Sequence, residues 1–597
     1  MFVSQRIKTA MGNRRRAGEE SPADANILLP NGKWDIKPLG ADDDHIIDGA
    51  LAPYELSSPV RPKGRPDYSK TAMIIEVKRH RREHIGAYAQ AIAYARQLYA
   101  TQINRNYTWA LTMCGTEVRV LLLHHDGIRS SPVIDISEVN GIRRLVTVLV
   151  HWSFCSPERL GYDPSITWNE ETRNWEILCA NGNDPYNPTP YVITRTLYHA
   201  SALFGRHTRC FLVRRKDGGN NNRETVLKSS WSLPIDMRKG KSVPTVISNE
   251  MDILGRISRV LGSRNQNYIF PRVVSGGEVR LLKGDEYVAD DTTQIYEYDE
   301  GDMRQAFRVY QHLNMSPVGN PLNSVENEEE LVLVLADVME FHNAIFEQCN
   351  VLHRDISVNN ILVVRDFEGQ SASQPVRGLL IDYDHAVRTD QRSRSYSRRS
   401  GSLPFMSIHN LEAHESERTP LDDWESLLYV ICWLATLGIN QADRESIGSG
   451  HGAKILKWRK GYMRGIADKK RMQMDNLGNF RLTILAGFQG KYRLLKPLAA
   501  GIYNALFQHQ GCEGANIQTD GIGETFESVV NLAVGGSLPS DQPFAEQPGR
   551  DPLVRRKENE DDIIRTLLTT IQTASTVAQQ ILAHRSANVG TTSAPAQ

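Results

Sequence analysis

The stretch Val351-Leu352-His353-Arg354-Asp355-Ile356-Ser357-Val358-Asn359-Asn360-Ile361-Leu362, followed by Leu379-Leu380-Ile381-Asp382-Tyr383-Asp384, restricts this chain more than any other feature. An acid in a short loop, an Asn soon after it and a second acid ending a buried strand are what phosphoryl transfer from a metal-bound nucleotide requires. Such a transfer needs little covalent help, so catalysis consists of positioning the acceptor hydroxyl and neutralising the nucleotide phosphates. Asp355 is placed to accept or orient the acceptor proton. Asn360 lies on the same loop, where it can reach one metal, and Asp382 supplies a second carboxylate at the mouth of the next hairpin. Oxygen-rich ligation of this kind suits magnesium rather than zinc.

The 597 residues are enough for two to four domains, and a 40% hydrophobic content is ample for real cores. Lys plus Arg and Asp plus Glu both number 70, so there is no net charge. That balance argues against a basic nucleic-acid binder. Seven scattered Cys with no close pair give neither a zinc module nor a disulfide framework, which favours a reducing compartment. The start is polar and basic, and the longest apolar run, residues 427–439, is too short to span a bilayer. The expectation is a soluble intracellular protein of cytoplasm or nucleus, without membrane partners.

Composition shifts divide the chain. Residues 1–45 read as a polar segment, 46–165 as a small α/β domain and 166–190 as a Pro/Asn-rich linker. Residues 191–536 hold the loop described above. Residues 537–597 read as a polar linker, a helix and a disordered tail. In that helix Ile563, Leu567, Ile571, Ala574, Val577, Ala578 and Ile581 recur at helical spacing, which marks a packing or oligomerisation face.

Upstream of the loop, Thr225-Val226-Leu227-Lys228 reads as a strand ending in a Lys. Glu250 follows in a helical pattern with Ile253, Leu254 and Ile257. A buried Lys held by such a Glu aligns nucleotide α and β phosphates. Ala202-Leu203-Phe204-Gly205-Arg206-His207-Thr208-Arg209 sits where a hairpin should fold over those phosphates. It has one Gly, Gly205, where three are usual, so Arg206 and Thr208 are candidates for side-chain phosphate contacts. Residues 328–347 read as a helix with Leu331, Leu335, Val338, His342 and Ile345 on one face, His342 being a core histidine.

Downstream, residues 388–402 form a Ser/Arg-rich loop holding Ser395 and Ser400. Beside Arg354 it is a natural place for a phosphate to order the segment through charge-assisted pairs. Asp422-Asp423-Trp424-Glu425-Ser426 begins a very apolar helix, and Asp423 is expected to cap catalytic-loop N–H groups.

Taken together, His353-Arg354-Asp355-Ile356-Ser357-x-x-Asn360-Ile361-Leu362, Leu380-Ile381-Asp382-x-Asp384-x-Ala386, Gly401-Ser402-Leu403-Pro404-Phe405-Met406 and Asp423-x-Glu425-Ser426 resemble the fungal-type protein kinase family. The resemblance extends to Gly205-Arg206-x-Thr208 and Leu227-Lys228-x-x-Trp231, over about residues 195–515. It implies an α+β chain, a two-lobed protein kinase-like fold with lobes 191–315 and 316–536, preceded by the α/β domain. It further implies ATP, magnesium and phosphorylation of Ser/Thr in protein substrates, with Lys228, Asp355, Asn360 and Asp382 in the matching roles. Asp384 replaces the usual Gly, and His409 falls where a Glu anchors the end of the activation segment.

The N-terminal part offers a second site. Pro66-Asp67, then Met73-Ile74-Ile75-Glu76-Val77-Lys78, then a helix with Tyr88, Ala91, Ile92, Ala95 and Tyr99 on one face, resembles the restriction-nuclease-like Pro-Asp…Glu-x-Lys fold. Strand alternation puts Glu76 and Lys78 on one side, where they could join Asp67 around a metal. A recognition or scaffold module is the favoured use of this domain. For the whole chain, the alternatives to a protein kinase are a pseudokinase scaffold, supported by the single-Gly turn, and a small-molecule phosphotransferase of the aminoglycoside or choline kinase type, supported by Ile381-Asp382-Tyr383-Asp384.

Overall fold

The computed structural model describes residues 26–28, 49–53, 68–181, 184, 187–200, 202–218, 223–232, 249–262, 268–283, 286–292, 308–367, 370–390, 401–412, 418–438, 450–489, 492–508 and 560–591. Helices and sheets are mixed throughout. The chain separates into two compact units, residues 1–248 with 274–315 and residues 249–273 with 316–597.

The first unit contains two sheets. One runs β1 (Asn26–Leu28), β2 (Gly49–Pro53), β3 (Met73–Lys78), β4 (Tyr107–Cys114), β5 (Glu117–His124) and β6 (Gly127–Ser130), with β7 (Ile134–Asp135) beside β5. β3 and β4 are parallel and joined by α1 (His84–Thr101), the long crossover a parallel pair demands; the other pairs are antiparallel. Both faces are covered. Ile74, Ala110 and Leu121 meet Tyr94 and Leu98 of α1, while Met73, Leu111 and Val118 share a second cluster with Trp152 of α2 (Val139–Phe154). An apolar run such as Met73-Ile74-Ile75 is what a strand buried on both faces needs.

The second sheet has the order β13-β16-β12-β11-β10-β9-β8, formed by β8 (Ile166–Asn169), β9 (Asn174–Cys179), β10 (Thr189–His199), β11 (Arg209–Arg215), β12 (Thr225–Ser232), β13 (Arg272–Glu278) and β16 (Val309–Ser316). A small hairpin, β14 (Arg280–Lys283) with β15 (Glu286–Ala289), pairs only within itself, but the backbone of Tyr310 on β16 hydrogen-bonds the backbone at Val279 and Asp290 on either side of it. Two expectations are corrected here. Residues 166–179 are no linker but a hairpin paired to β10, because Ile166, Ile177 and Cys179 alternate into the core beside Tyr191, Phe211 and Leu227. Lys228 does not end its strand, since β12 continues through Ser229 and Ser230 to Ser232, whose backbones pair with β16.

The second unit is mainly helical. It contains α3 (Asn249–Leu261) and α4 (Glu328–Cys349). Around them lie the short strands β17 (Asn320–Pro321), β18 (Val351–Leu352), β19 (Ile361–Val364), β20 (Arg377–Leu380) and β21 (Val387–Arg388). Further along the chain are α5 (Ile408–Glu412), α6 (Pro420–Leu437), α7 (Met463–Met474), α8 (Leu495–Tyr503) and α9 (Glu560–Thr591). Asn327 caps α4 by accepting the Glu330 N–H. The first three acids of α4 each hold another element: Glu328 accepts the N–H groups of Arg493 and Leu495, Glu329 pairs with Arg585 of α9, and Glu330 pairs with Arg365 beyond β19. The β19–β20 hairpin lies so close to α4 that a Cβ on Gly378 would sit 2.2 Å from the Val334 carbonyl oxygen. α6 is buried on every side, beginning with Thr419 and Asp422 in a reciprocal cap.

The stripe expected for the C-terminal helix is real and is used inside the chain. Leu567, Ile571, Ala574 and Ala578 are fully buried where α9 packs on α4 and α8. Among the described residues, no helix is long and apolar enough to cross a membrane.

Candidate functional site

In the second unit, α4 ends at Asn350, which turns into the left-handed region at φ 53°. β18 then pairs with β21, so the loop from His353 to Asn360 starts and returns at fixed points. Arg354 in this loop, at φ 71°, and Asp382 at the end of the next strand, at φ 66°, also adopt positive φ without the freedom of glycine. Such conformations cost on the order of 1 kcal/mol or more each and persist only when their surroundings impose them.

The surroundings are visible in the hydrogen bonds. The Arg354 N–H donates to Asp423 Oδ2 at 3.0 Å, and His342 Nε2 lies 2.8 Å from the same oxygen. Asp423 is fully buried. Burial works against its charge, but the His342 hydrogen bond, the His342 and His353 rings and the Arg354 N–H outweigh it and hold its pKa below the ordinary carboxylate range. His342 is thus a core histidine that orients the acid beneath the loop.

Asp355 is held at both carboxylate oxygens. Oδ1 accepts the Ser402 N–H at 2.7 Å, and Oδ2 accepts from Asn360 Nδ2 at 3.0 Å. The same Nδ2 donates to the Asp355 carbonyl at 2.9 Å, which directs the amide nitrogen of Asn360 to Asp355 and leaves its oxygen for another role. His353 lies under this loop. Its Nε2 is 3.1 Å from the Ile381 carbonyl and its ring meets Tyr383 edge-on at 4.8 Å, linking the loop to the strand end that carries Asp382.

Glu250, Asp382 and Asp384 each bring a carboxylate oxygen within 4.8 Å of the others. Glu250 also accepts the Tyr383 N–H at 3.1 Å, which ties α3 to the turn after β20. Three carboxylates are a fitting donor set for a hard divalent cation such as magnesium or manganese. Motif order alone assigns Glu250 to the Lys and does not disclose its grouping with Asp382 and Asp384.

The end of the segment after Asp384 is anchored by residues whose roles no short motif announces. Glu425 accepts the Ile408 N–H and the Tyr429 hydroxyl, while His409 Nδ1 is 3.3 Å from Asp422. The fully buried Lys470 donates to the carbonyls of Pro404 and Met406 and lies 3.7 Å over the Tyr429 ring. Burial holds its ammonium well below the ordinary lysine pKa, against the pull of Glu425.

In the first unit, Lys228 is buried in mid-strand, opposite Cys210 on β11 and Leu313 on β16. The next residue, Ser229, belongs to a buried network. Arg209 Nε donates to Ser229 Oγ, and Arg209 Nη2 donates to Asp163 Oδ2 at 2.9 Å, to Asn106 Oδ1 and to the Tyr310 hydroxyl. Burial opposes charge on Asp163, but Arg209 overrides it and lowers the pKa. Gly205 has φ 115°, and a side chain there would point into open space, so glycine serves conformation and not room.

Glu76 and Lys78 do share one side of β3, and Lys78 Nζ lies 2.6 Å from Glu76 Oε1. Tyr68 stands by the pair, its phenol pKa raised by burial and then by the Glu76 charge. Asp67, Ser395 and Ser400 lie outside the described residues.

The family model for fungal protein kinase matches residues 54–435. That is more than half of the chain, and the chain belongs to this family of phosphoryl-transferring enzymes. The match starts far ahead of residue 195 and so takes in the α/β domain as well. A comparison with curated proteins gives no match. Membership implies ATP as the phosphoryl donor and a divalent metal beside it.

Proposed function

We propose that the chain is an ATP- and magnesium-dependent protein kinase that phosphorylates Ser/Thr hydroxyls of protein substrates, with a two-lobed fold preceded by the α/β domain. The observation that carries this reading is the doubly held Asp355, paired to Asn360 and set over the buried Asp423. A catalytic acid must be oriented before substrate arrives, and these bonds do that.

In this reading Lys228 binds nucleotide phosphates, and its burial keeps the ammonium from being screened by water. Asp355 orients the acceptor hydroxyl and takes its proton at a carboxylate oxygen as the hydroxyl oxygen bonds to the γ-phosphorus and ADP departs. Magnesium would be held by Asp382 with Asn360 Oδ1, and Asp384 and Glu250 add negative charge to the same place. It would supply charge neutralisation at the phosphates. Arg354 and the serines at 395 and 400 are proposed to regulate the segment by phosphorylation.

The test is transfer of labelled γ-phosphate from magnesium ATP to a generic protein acceptor and to a set of small alcohols, for the full chain and its Asp382→Asn variant. Protein labelling that the variant loses supports the reading. Labelling of alcohols alone would move the assignment to a small-molecule phosphotransferase, and folded protein that labels nothing would leave a scaffold.

A further inference from the structure

The turn between β10 and β11, residues 202–208, has the place of a phosphate-covering hairpin but lacks its glycines. A glycine-rich hairpin is a flap whose freedom must be surrendered when nucleotide binds. In this chain the turn is tied down before that happens, and the ties come from the α/β domain within the same unit.

The inward side chains alternate. Leu203 is 5% exposed and belongs to the apolar cluster of Tyr68, Ile74, Tyr94 and Leu98. His207, 3% exposed and at φ 44°, stacks on His125 at 4.2 Å and meets Tyr99 edge-on at 4.9 Å. The backbone follows: Gly205 N–H donates to the His125 carbonyl at 3.0 Å, and His125 Nδ1 lies 3.1 Å from the Leu203 carbonyl. On the far side the Trp231 N–H donates to the Arg206 carbonyl, and Arg209 closes the turn by donating to Ile103, Asn106 and Asp163. Phe204, Gly205, Arg206 and Thr208 remain partly or fully exposed.

We propose that the α/β domain is a positioning device for nucleotide binding: through His125 and the pocket that takes Leu203 it holds the turn 202–208 in one conformation and so presents Arg206 and Thr208 to the phosphates. This rests on the nucleotide reading above. The anchoring replaces the conformational freedom that missing glycines would have given, and turns a flap into a fixed wall. His125 and Leu203 act through the turn and touch no substrate.

The experiment uses the full chain. Hydrogen exchange of the Gly205 amide, whose N–H donates to the His125 carbonyl, is expected to be slow in the wild type without nucleotide, and rapid exchange there overturns the proposal. Leu203→Ala is expected to raise the KM for ATP about tenfold with kcat within about twofold, and Leu203→Met to restore it. Val118→Ala, a cavity in the other cluster of the same domain, is expected to leave KM unchanged. An unchanged KM in Leu203→Ala, or an equal rise in Val118→Ala, overturns the positioning role. If the wild type transfers no phosphate at all, the kinase reading falls, and anchoring is decided by the exchange of the Gly205 amide alone.

Discussion

Asp423 shows how much one buried carboxylate does in this chain. A single oxygen receives the Arg354 N–H and faces His342 Nε2, so Asn at this position can keep both contacts and lose only the charge. Asp423→Asn should therefore cost about 1–2 kcal/mol and Asp423→Ala about 3 kcal/mol, because Ala strands two buried donors. Denaturant unfolding reads the difference. The folded pKa is depressed, so the stabilisation is fully present above the unfolded carboxylate value of about 4 and is lost as pH falls through the lower folded value. The gap between wild type and Asp423→Asn should accordingly be flat from neutral pH down to about pH 4 and shrink below it. Lys470 offers a second case. Lys470→Met fills the space but leaves the Pro404 and Met406 carbonyls without their donor, which predicts a loss of about 1–3 kcal/mol and a larger loss of phosphoryl transfer to protein than to water. Equal loss in both assays would make Lys470 a stability residue with no part in shaping the acceptor side.

At the scale of elements, α9 is the clearest surprise. Its apolar spacing is legible in the sequence, but spacing does not say whether the stripe meets another copy or its own chain. The structure seats it on α4 and α8, where a Cβ on Gly501 would approach Thr570 Cγ2 to 2.7 Å. Ile571→Asp places a carboxylate in that seam and should cost about 4 kcal/mol, whereas Arg585→Ala removes a pair whose arginine is 56% exposed and should cost less than about 1 kcal/mol. Thermal unfolding of the full chain checks the ranking, and comparable losses would contradict it. The hairpin at 166–179 is hidden for a different reason. Asn169, Glu170, Glu171, Thr172 and Arg173 make its turn so polar that composition suggests a linker, while the three residues that enter the core are too few to set a pattern. Lys228 looks like a strand end because Ser229 and Ser230 look like a turn. Ser229 is instead satisfied by Arg209 and Tyr310, partners drawn from distant parts of the chain.

At the scale of the molecule, what is legible is what local chemistry dictates: the loop with Asp355 and Asn360, the acid at 382 and the helices around them. What is not legible depends on long-range assembly, as with Glu250 joining Asp382 and Asp384, or His125 receiving the turn at Gly205. The same assembly gives the two units different responses to acid. In the first unit burial lowers the pKa of His124 to about 3 and of His199 and His312 to about 4, and His125 and His207 are also driven well down. Unfolding lets each ring take a proton below its ordinary value near 6.5, so the unfolded state gains about 1.4 kcal/mol per pH unit for each such histidine. The penalty is absent above that value, grows as pH falls and levels off only below the folded pKa. In the second unit burial lowers His353 as well, but Asp423, Asp355 and Asp382 pull against it. Hydrogen exchange followed from pH 7 to pH 4.5 should therefore show peptides around His124, His199 and His312 losing protection before those of α4 and α6. His312→Gln should reduce the acid sensitivity of the first unit by about one proton's slope while leaving the second unchanged. Protection lost first in α4 and α6 would mean that the buried carboxylates there, and not the histidines, set the response to acid.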